Sequence, residues 1–170
     1  MKLPISGLPV VYLHPGEIFY GNKPTLITTI LGSCLSITMF SKKTKYSAIS
    51  HCQLPFGNKR GVSYLKCTEP YKYVDCTITK MLETFEKMSI PKEEIEIKIF
   101  GGGDVIATRK ERENPKTIGK QNIIAAINLF NKYELSVTAS DIGGKEGRKI
   151  FFVTDTGEIY LKRLKVNEKN

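Results

Sequence analysis

Thr28-Thr29-Ile30-Leu31-Gly32-Ser33-Cys34-Leu35-Ser36-Ile37-Thr38-Met39-Phe40 joins two strand-like runs through a corner of small residues. Thr25 to Leu31 is β-branched and apolar, the composition of a buried strand. Leu35 to Phe40 alternates, as a half-buried strand does. Ser41-Lys42-Lys43-Thr44-Lys45 is a polar turn. Tyr46 to Leu54 reads as a returning strand that carries His51 and stops at Pro55, where the backbone loses a ladder donor. The corner delivers Cys34 to the start of this hairpin, so a sheet is the frame around the cysteine.

The hairpin register decides what Cys34 meets. A loop centred on Lys42 and Lys43 sets Cys34 opposite His51, and opposed side chains on one face lie roughly 4.5–5.5 Å apart at Cβ. A thiol and an imidazole at that spacing can share a proton, giving the thiolate–imidazolium pair that makes a cysteine nucleophilic near neutral pH. A loop one residue different sets Cys34 opposite Cys52, because a slip of one residue exchanges the faces of a strand. Spacing alone admits both a catalytic pair and two structural cysteines, since free cysteine often serves as a small buried hydrophobe.

Outward from the hairpin, Leu8 to Leu13 and Glu17 to Tyr20 read as short strands separated by His14-Pro15-Gly16, with His14 a surface histidine. Pro55 to Tyr71 is a long polar connection placed to form the rim of a cleft. From Lys72 the period becomes helical: Val74, Ile78, Met81, Leu82, Phe85 and Met88 share one face. Ile95, Ile97 and Ile99 alternate with charged residues in a strand that runs into Phe100-Gly101-Gly102-Gly103. That triplet permits close backbone approach and lacks the spacing of a phosphate-binding loop. Asp104 to Lys116 is a polar loop. Ile118 to Tyr133 is a second helix with Ile123, Ala126, Ile127 and Phe130 facing inward. Leu135 to Ala139 is a strand, Asp141 to Gly147 a glycine-rich turn, and Ile150 to Val153 with Ile159 to Leu161 a terminal hairpin.

The chain of 170 residues suits one domain over 1–170, with a core at about 10–163 and a tail at 164–170. Strand candidates around two helices make an α+β sandwich. The 41% hydrophobic and 25% charged content is that of a soluble globular protein. No apolar run reaches the eighteen or so residues of a membrane span, and the N-terminus lacks a signal-peptide core, so membrane insertion is not expected. Four cysteines without a C-x-x-C spacing argue against a metal or redox motif, and reduced thiols in a cytoplasmic protein are the simplest reading. No metal or other cofactor is expected. The net charge of +9 is spread along the chain rather than gathered on a recognition element, which favours a solvated basic face over a nucleic-acid site.

Thr28-x-x-x-Gly32-Ser33-Cys34 followed by His51-x-x-Leu54-Pro55 resembles the signature of the CheD family of chemoreceptor glutamine deamidases. Phe100-Gly101-Gly102-Gly103, Ile118-Gly119-x-x-Asn122, Asp141-x-Gly143-Gly144, Gly147-Arg148-Lys149 and Thr156-Gly157 follow in the family's order, from about residue 10 to 163. The resemblance implies a mixed β-sheet core with helices packed outside. It implies hydrolysis of glutamine side-chain amides on methyl-accepting chemotaxis receptors, and of glutamyl methyl esters by the same chemistry. It assigns the nucleophile to Cys34, the base to His51 and the residue orienting the imidazole to Thr28. Only the family spacing selects Thr28 over its neighbour Thr29. A CheC-type phosphatase is the implied regulatory partner, and a copy that regulated such a partner without catalysing is the alternative. Intact Cys34, His51 and Thr28 argue against that alternative. The basic charge would then steer the enzyme toward acidic receptor helices.

Overall fold

The computed structural model describes residues 7–57, 67–105 and 116–165. Among the described residues, nine strands and two α-helices follow in the order β1 (Val10–Tyr12), β2 (Ile18–Gly21), β3 (Leu26–Leu31), β4 (Leu35–Ser41), β5 (Ser47–Ser50), α1 (Val74–Lys87), β6 (Ile95–Gly101), α2 (Ile118–Lys132), β7 (Val137–Ile142), β8 (Gly147–Val153) and β9 (Ile159–Leu164). They form a four-stranded sheet, β1-β3-β8-β9, and a five-stranded sheet, β2-β5-β4-β6-β7. Both are mixed, because β1 runs parallel to β3 and β6 parallel to β7 while the other pairs are antiparallel.

Strand alternation sorts the core into two layers. Ile27, Leu31, Ile150 and Phe152 of the smaller sheet meet Ile49 and Phe100 of the larger one. On the other face of the larger sheet, Leu35, Ile37, Met39, Ile97 and Ile99 pack against Ile78, Met81 and Phe85 of α1 and Ala125, Ala126 and Phe130 of α2. The α+β sandwich with two outer helices is therefore realised as sheet, sheet, helix layer. On the outer face of the smaller sheet Tyr12 and Ile30 are both more than 40% exposed.

The hairpin register is neither of the two that the sequence offered. Thr38 pairs with Ile49, Met39 with Ala48 and Phe40 with Ser47, and the isolated bridge Leu35–Cys52 continues the series. The turn is centred on Lys43 and Thr44, with Lys45 at φ 59° and the Ser41 N–H donating to the Tyr46 carbonyl at 2.9 Å. This register sets Cys34 diagonal to His51 rather than directly opposite, on the same face. The displacement is one residue on each strand, so the parity of the faces survives.

Other elements depart more simply from the sequence reading. Met88 caps α1 and is half exposed, and Ile127 on α2 is 43% exposed, so neither belongs to the core face. β7 begins at Val137 and absorbs Asp141 and Ile142, which parallel pairing to Phe100 and Gly101 draws into the sheet. Cys67 and Cys76 are joined in a disulfide, a departure from four reduced thiols. The chain returning at Cys67 passes over the start of α1, where a Cβ on Gly57 would crowd both sulfurs. Most of the expected cleft rim (58–66), most of the polar loop (106–115) and the end of the tail (166–170) lie outside the described residues.

Candidate active site

His51 sits just beyond β5 with its ring 2% exposed, held between the two sheets. Its backbone is fixed by the first turn of the chain: the His51 N–H donates to the Glu17 carbonyl at 3.0 Å, and the Gly16 N–H donates to the His51 carbonyl at 2.7 Å. Across the sandwich, Thr29 of β3 approaches with Oγ1 2.8 Å from His51 Nδ1. The Thr29 hydroxyl also donates to the Leu13 carbonyl at 2.7 Å. A hydroxyl has one proton, and a carbonyl can only accept. Thr29 Oγ1 therefore accepts from Nδ1–H, which leaves Nε2 as the unprotonated nitrogen. Nε2 is buried and has no hydrogen-bond partner among the described residues.

The threonine hydrogen-bonded to His51 is thus Thr29, whereas the resemblance assigned the orienting role to its neighbour Thr28. Thr28 pairs with Tyr12 and Phe151 in the smaller sheet and points to that sheet's outer face. Its Oγ1 is buried without a hydrogen-bond partner among the described residues. Alternation along β3 makes the two positions exclusive: Ile27, Thr29 and Leu31 are wholly buried between the sheets, and Thr28 and Ile30 face away. The in-facing threonine was visible in that alternation, because Thr29 shares parity with Ile27 and Leu31.

Cys34 is half-buried and packs against the apolar layer between the sheets, the layer that also receives His51. Burial pushes its thiol pKa up, opposed by its own backbone N–H. Burial likewise pulls His51 below the ordinary histidine value, opposed by the Leu13 carbonyl and the nearby Glu17 carboxylate. Both directions favour the neutral thiol and the neutral imidazole over the resting ion pair that spacing suggested. Cys52 lies on the opposite face, wholly buried beneath α1. Its Sγ is 3.3 Å from Thr77 Oγ1, and burial pushes its pKa up to about 11.

The loop that presents Cys34 is held at successive carbonyls. Gly103 N–H donates to the Gly32 carbonyl and Gly102 N–H to the Cys34 carbonyl, both at 2.8 Å. Gly101 has φ 106°, and a Cβ there would overlap the Cys34 carbonyl oxygen. The glycine triplet is thus a backbone clamp on the cysteine. From α2, Asn122 Nδ2 reaches the Ser33 carbonyl at 2.9 Å and the Gln53 carbonyl at 3.1 Å. Sequence reasoning quoted Asn122 without a role for it.

Beside this loop lies a cavity of about 300 Å³ walled by Gly32 and Ser33, by Gly103 to Val105 and by Thr117 to Gly119. A larger hollow of about 480 Å³, near Leu82, Ile90 and Tyr133, shares no residue with the site. Arg148, 1% exposed, stands behind the clamp with Nε 2.6 Å from Asp141 Oδ1. Its Nη1 donates to the Glu146 carbonyl at 3.1 Å. Nothing in the composition distinguished this buried arginine from the surface cations.

Residues 57–163 match the family model described as CheD chemotactic sensory transduction. The match starts beyond Cys34 and His51, which longer alignments to individual relatives include. The chain is 41% identical to the "Probable chemoreceptor glutamine deamidase CheD 2" of Geobacter sulfurreducens, over 95% of this chain and 94% of that one. It is 36% identical to the "Probable chemoreceptor glutamine deamidase CheD" of Oleidesulfovibrio alaskensis, over 93% of this chain and 74% of that one. The protein of the same description from Maridesulfovibrio salexigens is 33% identical over 94% of both chains.

Proposed function

Because the chain belongs to the CheD family, we propose that it is a protein-glutamine deamidase acting on chemoreceptors, with Cys34 as nucleophile, His51 as base and Thr29 orienting the imidazole. The observation that carries the assignment is the free, buried Nε2 of His51, in a tautomer set by Thr29, on the sheet face shared with Cys34. As Cys34 Sγ attacks Cδ of a receptor glutamine, its proton passes to Nε2. The imidazolium keeps its Nδ1–H on Thr29, and the Glu17 carboxylate and Leu13 carbonyl favour the transient positive charge. Collapse of the tetrahedral intermediate breaks the C–N bond, and Nε2–H protonates the leaving group to ammonia. Water then attacks the thioester with Nε2 as base, releasing glutamate and restoring the thiol. A glutamyl methyl ester is open to the same sequence, with methanol leaving in place of ammonia.

Family membership also supports a CheC-type phosphatase as regulatory partner and residence in the cytoplasm. The active form holds Cys34 and His51 both neutral, so protonation of Nε2 removes activity at the acid end. With His51 pulled down and Cys34 pushed up, the plateau of kcat/KM for ammonia release should extend below about pH 6.5 and above about pH 8.5. The test follows ammonia from a receptor cytoplasmic fragment across pH, with Cys34→Ala as the blank. Release undiminished in Cys34→Ala removes the nucleophile assignment, and an acid limb at or above the ordinary histidine pKa removes the neutral-pair mechanism.

A further inference from the structure

Asn122 is wholly buried on α2, and its side-chain amide bridges the segment that leads into β4 and the segment that follows β5. Nδ2 meets two carbonyl oxygens, those of Ser33 and Gln53. That settles its orientation, because a flipped amide would set its own oxygen against both. Placing this residue in the interior leaves Oδ1 without a hydrogen-bond partner among the described residues. An unpaired buried acceptor is destabilising, and a position serving packing alone would avoid it by carrying an apolar residue.

The Ser33 carbonyl belongs to the peptide whose N–H is that of Cys34. In a planar trans peptide the carbonyl and the N–H point in opposite directions. Holding the Ser33 carbonyl on Asn122 therefore turns the Cys34 N–H away from α2. That N–H has no acceptor among the described residues, and it lies close enough to its own sulfur to oppose the rise in thiol pKa. The flanking peptides are fixed separately, by Gly103 N–H on the Gly32 carbonyl and Gly102 N–H on the Cys34 carbonyl. Among the described residues, the Ser33–Cys34 peptide depends on the Asn122 side chain for this restraint.

We propose that Asn122 is a positioning residue for the deamidation, aiming the Cys34 backbone N–H at the oxyanion that forms when Sγ attacks the glutamine carbonyl. The role rests on Cys34 being the nucleophile. The N–H meets full negative charge on the oxyanion and gives the thiolate only a weaker contact, so deamidation should fall further than alkylation when its aim is lost. The gap between Asn122 and the reacting atoms is bridged by one rigid peptide plane.

The experiment compares parent, Asn122→Leu and Asn122→Ser for deamidation of a receptor cytoplasmic fragment, for iodoacetamide labelling of Cys34 at one pH, and for thermal melting. Leu keeps the branched shape without a donor; Ser is smaller and too short to span both carbonyls. The expected result is a fall in kcat of about tenfold to a hundredfold in each folded variant, with KM unchanged and the Cys34 labelling rate falling by no more than about threefold. A kcat within about threefold of the parent, a change confined to KM, or a parallel fall in labelling overturns the role. Failure of both variants to fold also overturns it, by making Asn122 a scaffold residue. Cys34→Ala measured alongside keeps the two claims apart. Activity in that variant defeats the nucleophile, whereas a dead Cys34→Ala beside fully active Asn122 variants defeats only this inference.

Discussion

At the scale of single residues, the site turns on which of two adjacent threonines faces inward. Thr29 Oγ1 accepts from His51 Nδ1–H and donates its own O–H to the Leu13 carbonyl, and this chain of hydrogen bonds frees Nε2 for the cysteine. Thr29→Ala leaves both tautomers open and lets the ring turn. Turnover should fall on the order of 10²-fold, the lower end of what a positioned general base supplies. Thr28→Ala removes a hydroxyl that has no hydrogen-bond partner among the described residues and should leave turnover near the parent's. Assays of receptor deamidation, with melting curves to separate stability from rate, check the contrast. Equal losses in the two variants would mean that Thr29 serves only the packing between the sheets. The family signature pointed to Thr28 by counting back from Cys34, and the strand's own period gives the inward face to Thr29. Sequence held that information in Ile27 and Leu31, which a count along the motif ignores.

At the scale of elements, the β4–β5 hairpin and the glycine triplet after β6 fix where the sulfur sits. The alternation of Leu35 to Phe40 and the helical stripe from Val74 to Phe85 were plain in the sequence because burial on one face imposes a period. The turn was less legible: Lys42 to Lys45 offers several centres of similar chemistry, and the positive φ of Lys45 is not written in its residue type. Parity mattered more than the exact pairing. Cys34 and Cys52 stay on opposite faces, the first with His51 between the sheets and the second under α1 against Thr77. An unstrained disulfide needs Cβ atoms roughly 3.5–4.5 Å apart, which opposite faces of one sheet do not supply. Mild oxidation of the folded protein should therefore leave Cys34 and Cys52 unlinked, read by non-reducing peptide mapping. A high yield of that linked peptide would contradict the faces assigned here.

At the scale of the molecule, the sandwich brings three distant segments to one place: the first turn at Leu13 to Glu17, the hairpin with Cys34 and His51, and α2 with Asn122. Local pattern announced the strands and helices, but the meeting of α2 with the nucleophile loop depends on Gly119 closing against the Gly102 carbonyl, a long-range fit without a period. The same is true of Arg148, whose burial rests on Asp141 and on turn carbonyls drawn in by β7 and β8. The central claim is that the assembled site makes Cys34 an acylating nucleophile toward a glutamine amide. Rapid acid quenching during turnover of a receptor fragment, followed by peptide mass mapping, tests it most directly. The predicted result is a glutamyl thioester on Cys34 alone, released by hydroxylamine and absent from Cys34→Ala; deamidation proceeding in Cys34→Ala, or an acyl group found on another residue, would contradict it.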